Sequence, residues 1–473
     1  MAATESPLAL HPDRLLPAEP GERAIARRLY EAVRELPVIS PHGHVNPRLL
    51  LDDEPFPDPA TLFITPDHYV TRLLHASGVG LEKLGVGRGP LAEAQSREVW
   101  RLLCSHWHVY RGTPVRWWLE AELADIFDVD LMPSAETADA IYDRIAGRLA
   151  TDAYRPRALY ERFRIAVMAT TDDPADDLAA HAALAADPSF AGRVIPTFRP
   201  DRYLEPGRPG WPDVVRELGK AADVEIGDFA GFVRAMEARR RHFIEHGAVS
   251  ADHSHEDVRT DPLDSSDAAR IFRSALAGDA SEAEATALRR HLLLEMARMS
   301  CDDGLVMTLH PAVRRGHHGP TTERFGPDRG NDIPIRVEFT DALRPLLERY
   351  GTHPGFHIVV FTLDETVFSR ELAPLAGFYP AMYLGVPWWF IDAPHAIRRF
   401  REAVTETAGF SRTSGFIDDT RAFCSIPARH DLSRRVDASW LATLVAEHQL
   451  DEDEALATAV ELVAAQPKAV FKL

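Results

Sequence analysis

Short apolar runs that end in polar residues, each followed by a stretch with helical spacing, recur along this chain. Eight such runs are readable, at 38–39, 164–169, 194–198, 248–251, 305–309, 358–363, 382–386 and 415–417. Between them, helices follow from apolar periodicity. In 229–246, Phe229, Phe232, Val233, Met236, Phe243 and Ile244 fall on one helical face, and Gly247 supplies a stop. The same pattern predicts helices over 337–350, 396–407 and 438–448. Pro345 lies inside the first of these, so a kink or a late start is expected there.

Strands alternating with helices predict a parallel sheet, and eight of them predict a closed (β/α)8 TIM barrel. The alternative is an open doubly wound sheet, but no Gly-rich phosphate loop follows any strand. The interval 50–162 reads as mostly helical and is rich in Trp and Leu. It is expected to be a large insertion after the first strand, within a single α/β unit spanning 1–473. A lid over the site and a purely structural role are both open for it.

The polar residues fall where a barrel would use them. The runs finish in His42 and His44; Thr170, Thr171, Asp172 and Asp173; Arg199 and Asp201; Asp252 and His253; His310; Asp364; Trp388; and Asp419 and Arg421. In a barrel the carboxyl ends of all strands open onto one face, which carries the active site. Residues i and i+2 of a strand point the same way, so His42 and His44 can share one divalent ion. The same spacing turns Asp419 and Arg421 to one side, and the last strand neighbours the first. Asp418 should then point outward to the helices. Of Trp388 and Trp389, one alone should face the mouth. Bland readings stand beside these: Asp172-Asp173 before Pro174 is also a turn and cap signal, and Asp252-His253 also suits a capping turn.

Composition narrows the partners. The 473 residues include 72 Asp and Glu against 53 Lys and Arg, a formal charge of −19. That balance argues against a nucleic-acid partner, which would need a basic stripe, and against an anionic membrane surface. An anionic substrate would need local arginines. Three dispersed cysteines, Cys104, Cys301 and Cys424, form no CxxC pair, so a reducing cytoplasm is expected. No signal-peptide pattern opens the sequence, and no uncharged apolar run reaches about 18 residues.

In order and spacing these residues resemble the uronate isomerases, an outlying branch of the amidohydrolase superfamily. The matching pieces are Leu36-Pro37-Val38-Ile39 before His42-x-His44, Asp67-His68-Tyr69 with Arg72, Thr170 to Pro174, Arg199-Pro200-Asp201, Ser250 to His253, Val306 to His310, Trp388-Trp389-Phe390 and Asp419 to Phe423. The resemblance implies an aldose–ketose isomerase of D-glucuronate or D-galacturonate, acting by C2-to-C1 proton transfer through a cis-enediol. It implies one divalent metal, zinc by family habit, on His42, His44 and Asp419. It further implies Asp419 as base, Tyr69 as proton shuttle and His310 or His68 as help for ring opening. His68, Arg199, Arg421 and Trp388 would bind the substrate, with an arginine on its carboxylate. A small sugar acid is the expected partner, in a homo-oligomer.

The chain departs from the family pattern in three places. Ser40-Pro41 stands where an acidic residue commonly supports the histidine pair, Arg314-Arg315-Gly316-His317-His318 follows His310 where Asn residues are usual, and Asp364 replaces an Asn. A mononuclear metal-dependent hydrolase of a lactone or amide is the competing reading, since HxH with a last-strand Asp serves that chemistry too. The absence of an inner strand-end Lys and the presence of Arg199 and Arg421 count against it. A non-catalytic barrel that binds a sugar acid or a partner protein is the third.

Overall fold

The computed structural model describes residues 7–473. The N-terminal reading of the sequence falls in part on residues 1–6, outside that range. Among the described residues no helix is long and apolar enough to cross a membrane.

Seven parallel strands wall the centre: β1 (Val38–Ser40), β2 (Ile165–Ala169), β3 (Val194–Ile195), β4 (Ser250–His253), β5 (Val306–Leu309), β8 (Ile358–Val360) and β9 (Met382–Leu384). A short antiparallel pair, β6 (Val313–Arg314) and β7 (Ile333–Pro334), sits in the connection after β5. The wall strands form two sheets, β1-β2-β3 and β4-β5-β8-β9. Single parallel bridges continue the ring, Phe198 to Ala251 between the sheets and Leu384 to Thr413 beyond β9. The fold is thus a distorted α/β barrel with interrupted pairing.

Two interruptions have readable causes. The run 194–198 gives a strand of two residues because Pro196 cannot donate to the ladder; pairing resumes at Phe198, whose N–H reaches the Ser250 carbonyl at 3.2 Å. The expected last strand at 415–417 is not a strand. Gly415 and Asp419 adopt left-handed backbone, at φ 75° and 41°, and break the extended run. Gly415 has no room for a side chain either: a Cβ there would lie 2.9 Å from Pro467 Cδ. The segment still occupies the eighth position, since Ser414 N donates to the Leu384 carbonyl at 2.8 Å and His44 N to the Thr420 carbonyl at 2.9 Å.

The helices follow the apolar pattern more closely. Phe229–Glu245 is capped by the Asp228 carboxylate on Gly231 N, 2.7 Å away, and ends before Gly247 at φ 90°. Arg344–Tyr350 starts late, with Pro345 in its first turn. Pro394–Ala408 covers the expected 396–407. The helix expected over 438–448 is the long Ile426–Ala446, almost wholly buried. Between β1 and β2 the chain is helical, from Arg48–Asp52 to Pro156–Arg162. The first turn of one of these helices, His68–Ala76, is carried to the barrel mouth, with the Asp67 side chain capping Tyr69 N at 2.8 Å.

Candidate active site

The centre is built from both ends of the chain. Beyond Ser40 the backbone leaves strand geometry, so the i, i+2 rule does not aim His42 and His44. Hydrogen bonds on either side do so: Thr171 Oγ1 donates to the Gly43 carbonyl at 2.8 Å, and His44 N to that of Thr420. The two rings stand nearly perpendicular, centroids 5.3 Å apart. Asp419 meets them, its Oδ1 2.8 Å from His44 Nε2 and 3.4 Å from His42 Nε2. It gets there through left-handed backbone rather than strand alternation. Asp418 points outward, as expected, with its Oδ2 3.1 Å from His430 Nε2.

His310 completes the group. Its ring stacks between Phe361 at 4.1 Å and His42 at 4.6 Å. Its Nδ1 lies 2.6 Å from Asp252 Oδ1, which also accepts from Thr308 Oγ1 at 2.7 Å. That bond assigns the proton to Nδ1 and leaves a lone pair on Nε2, an arrangement typical of metal-binding histidines. Ligand atoms of His42, His310 and Asp419 lie within 4.8 Å of one another and could hold an ion. His310 Nε2 is buried with no hydrogen-bond partner, and Asp419 Oδ1 faces the Nε2 atoms of both His44 and His42. Buried polar atoms are rarely left unpaired, and imidazole nitrogens with a carboxylate oxygen suit a divalent first-row ion. The residues therefore fit a metal.

Electrostatics agree. Burial alone would raise the Asp252 and Asp419 carboxyls. Both lie instead well below the usual carboxylate range, because His310, His42 and Arg199 surround the first and His44 and His42 the second. Burial pushes the His68 imidazole down to about 3, so it works as a neutral group. Burial likewise pushes the Tyr69 phenol up, so it keeps its proton.

These residues line a cavity of about 370 Å³ at the carboxyl ends of the strands. His68, Tyr69, Arg199, Arg421 and Trp388 all face it. So does Trp389, because its left-handed backbone, at φ 49°, breaks the alternation that would have turned it away. Neither expected carboxylate-binding arginine is free. Arg199 Nε lies 2.8 Å from Asp201 and 3.5 Å from Asp252, and Arg421 pairs with Asp328. Asp328 and Arg315 were not singled out as site residues from the sequence. Arg315 sits 3.5 Å from Asp328 and 3.1 Å from Asp332, its guanidinium over Trp389. The Arg run after His310 was the available signal for it; nothing in the sequence pointed to Asp328.

Two strand endings do not reach the cavity. Asp172 is partly buried beside Thr170 and His181, and Asp364 caps the following turn through Thr366 N at 3.0 Å.

Fold and cluster together are those of an amidohydrolase-type barrel with a candidate histidine–carboxylate cation site in an arginine-walled cavity. The family model described as glucuronate isomerase matches residues 21–466. Uronate isomerases of Cutibacterium acnes and Corynebacterium efficiens are 54% and 53% identical over 466 and 468 residues, each covering 98% of this chain and 99% of theirs. The crystal structure of glucuronate isomerase from Caulobacter crescentus superposes with a TM-score of 0.96 at 44% identity, over 98% of this chain and 97% of that one. Uronate isomerase from Thermotoga maritima gives 0.91 at 25%, over 98% and 99%. The chain belongs to the glucuronate isomerase family, the aldose–ketose isomerases of uronates.

Proposed function

We propose that this chain interconverts an aldouronate and a ketouronate, D-glucuronate with D-fructuronate and D-galacturonate with D-tagaturonate. The observation that carries this reading is the convergence of His42, His44, His310 and Asp419 beside arginines that can hold an anionic sugar. The competing hydrolase reading is not favoured, because the family and its full-length relatives are isomerases.

His42, His44 and Asp419 would hold the ion, zinc in this proposal, with His310 Nε2 as a further donor. Such an ion supplies Lewis acidity toward a substrate oxygen. Asp419, held ionised, takes the proton from C2 and returns it at C1. Tyr69, held protonated, shuttles a proton between the neighbouring oxygens. Ring opening falls to the neutral His68 once His310 is a donor to the ion. Arg199 and Arg421 bind the sugar acid, and Trp388 closes an apolar side of the cavity. The working unit is the single barrel 1–473 with 50–162 as its helical insertion, in a cytoplasmic homo-oligomer without a nucleic-acid partner.

The test is direct. The zinc-loaded protein is incubated separately with D-glucuronate and D-galacturonate in D2O, and ketose formation is followed by NMR. Ketose with deuterium exchange at the transferred position is expected. No ketose from either uronate, or turnover of a lactone instead, would overturn the proposal.

A further inference from the structure

A second cavity, about 460 Å³ in volume, opens at the opposite end of the barrel. Residues just before the strands form its wall, Leu36 ahead of β1 and Arg164 ahead of β2, along with the helix Ile426–Ala446. Six arginines line it: Arg14, Arg34, Arg162, Arg164, Arg434 and Arg435. In a chain with a formal charge of −19 this is a local inversion of sign.

The pairing around it is incomplete. Arg14 and Arg435 share Asp431, at 3.0 and 2.8 Å, and Arg34 and Arg164 share Glu35. Arg434 and Arg162 have no carboxylate partner among the described residues. Arg434 donates to the carbonyls of Arg34 and Pro37 at 2.9 and 3.0 Å, and its Nε is buried without a partner. Arg162 donates only to the Asp125 carbonyl, at 2.9 Å. Glu122, also on the wall, is pushed up by burial and adds little negative charge. The guanidinium fork matches carboxylate and phosphate oxygens, and unpaired guanidinium in a concave wall favours such an occupant.

The wall also touches the active centre. His430 lines this cavity, and its Nε2 lies 3.1 Å from Asp418 Oδ2. Asp418 adjoins Asp419, and its Oδ1 lies 3.4 Å from where a Cβ on Gly43 would stand, between the two cluster histidines.

We propose that this cavity is a second ligand site that takes a small organic oxyanion, a polycarboxylate or a phosphate ester, and that its occupancy is felt at the active centre through His430 and Asp418. The volume exceeds that of the sugar cavity, which favours an organic anion over a bare inorganic one.

The experiment is calorimetric titration of the full, zinc-loaded chain with tricarballylate and, separately, with glucose 6-phosphate. Both are run with D-glucuronate saturating, so that the sugar cavity is filled. One binding event per chain is expected from at least one probe, and which probe binds tells carboxylate from phosphate chemistry. Arg434→Met should weaken it ten-fold or more, but loses the two carbonyl ties as well. Arg162→Glu, on the exposed rim, is the second variant and should weaken binding to the same degree with the thermal midpoint unchanged. Saturation should change kcat at least two-fold. Absence of binding while D-glucuronate is present, or binding indifferent to Arg162→Glu, overturns the site. So does a change of assembled mass in Arg162→Glu, which would make this wall a face between copies. Binding with kcat unchanged overturns the coupling.

Discussion

Asp328 changes what Arg421 can be expected to do. The guanidinium that family resemblance assigns to substrate already carries a carboxylate, and Arg315 approaches the same carboxylate from the other side. An incoming uronate carboxylate must therefore compete with Asp328 or share its arginines. Arg421→Met should lower kcat/KM by about 30- to 1,000-fold, the loss of a charged hydrogen-bond pair worth about 2–4 kcal/mol. Undiminished kcat/KM would remove Arg421 from the binding role. Asp328→Asn separates competition from sharing. Competition predicts a KM for D-glucuronate about three- to ten-fold lower with kcat nearly constant, since one opposing charge interaction is removed. A raised KM in steady-state assays would instead make Asp328 the residue that aims Arg421.

Elements differ in how far the sequence announces them. The helix Phe229–Glu245 was legible because its apolar residues keep one face and Gly247 ends it. The helix Ile426–Ala446 was not legible over its first half. Its buried positions include Arg429, His430, Arg434, Arg435 and Asp437, so no polar face marks it. Arg429 is fully buried on Asp392, at 2.7 Å, with its guanidinium 3.6 Å from the Trp118 ring centre. Such pairing is decided by tertiary contacts that no local pattern records. The eighth barrel position misled in the same way: its residues were identified, but the left-handed Asp419 defeats an alternation argument that still reached the right neighbour. His310 as a partner of His42 was hidden, because two distant strand ends meet only once the barrel closes. At β2 the turn reading holds for Asp173, whose carboxylate accepts from Ala175 N at 2.9 Å, but neither acid caps the next helix. Burial raises Asp172 to about 7, although Thr170 donates to it. The folded state then binds the extra proton between the unfolded value near 4 and about 7. Stability from this group is fully present below pH 4 and is lost as pH rises through 7, by up to about 4 kcal/mol. Asp172→Asn should therefore flatten the fall in urea midpoint between pH 5 and 8. An equal fall in the variant would place the pH dependence elsewhere.

At the scale of the whole molecule, a charge of −19 acts against an anionic substrate and in favour of a cation. The repulsion is long-range and is screened beyond a Debye length of about 8–10 Å, whereas the arginine contacts inside the cavity are short and sheltered. Raising ionic strength from about 10 to 150 mM should thus raise kcat/KM for D-glucuronate about two-fold. A steep fall would mean that exposed arginines dominate capture. For the cation, field and local structure act together. His310 Nε2 is buried and unpaired in the protein alone, and Asp419 Oδ1 converges with the His42 and His44 nitrogens, which leaves desolvated donors for an ion to satisfy. An ion that binds the folded chain and not the unfolded one stabilises it by about 4 kcal/mol at a thousand-fold excess over its Kd. Unfolding entropy of about 2 cal/mol/K per residue converts that, for a chain this long, into a rise of about 4 °C in thermal midpoint. Zinc added to chelator-treated protein should produce that rise, and Asp419→Asn and His42→Gln should lose it together with activity. A midpoint indifferent to zinc in the wild-type chain, or a rise retained in both variants, would leave the cluster without a metal role.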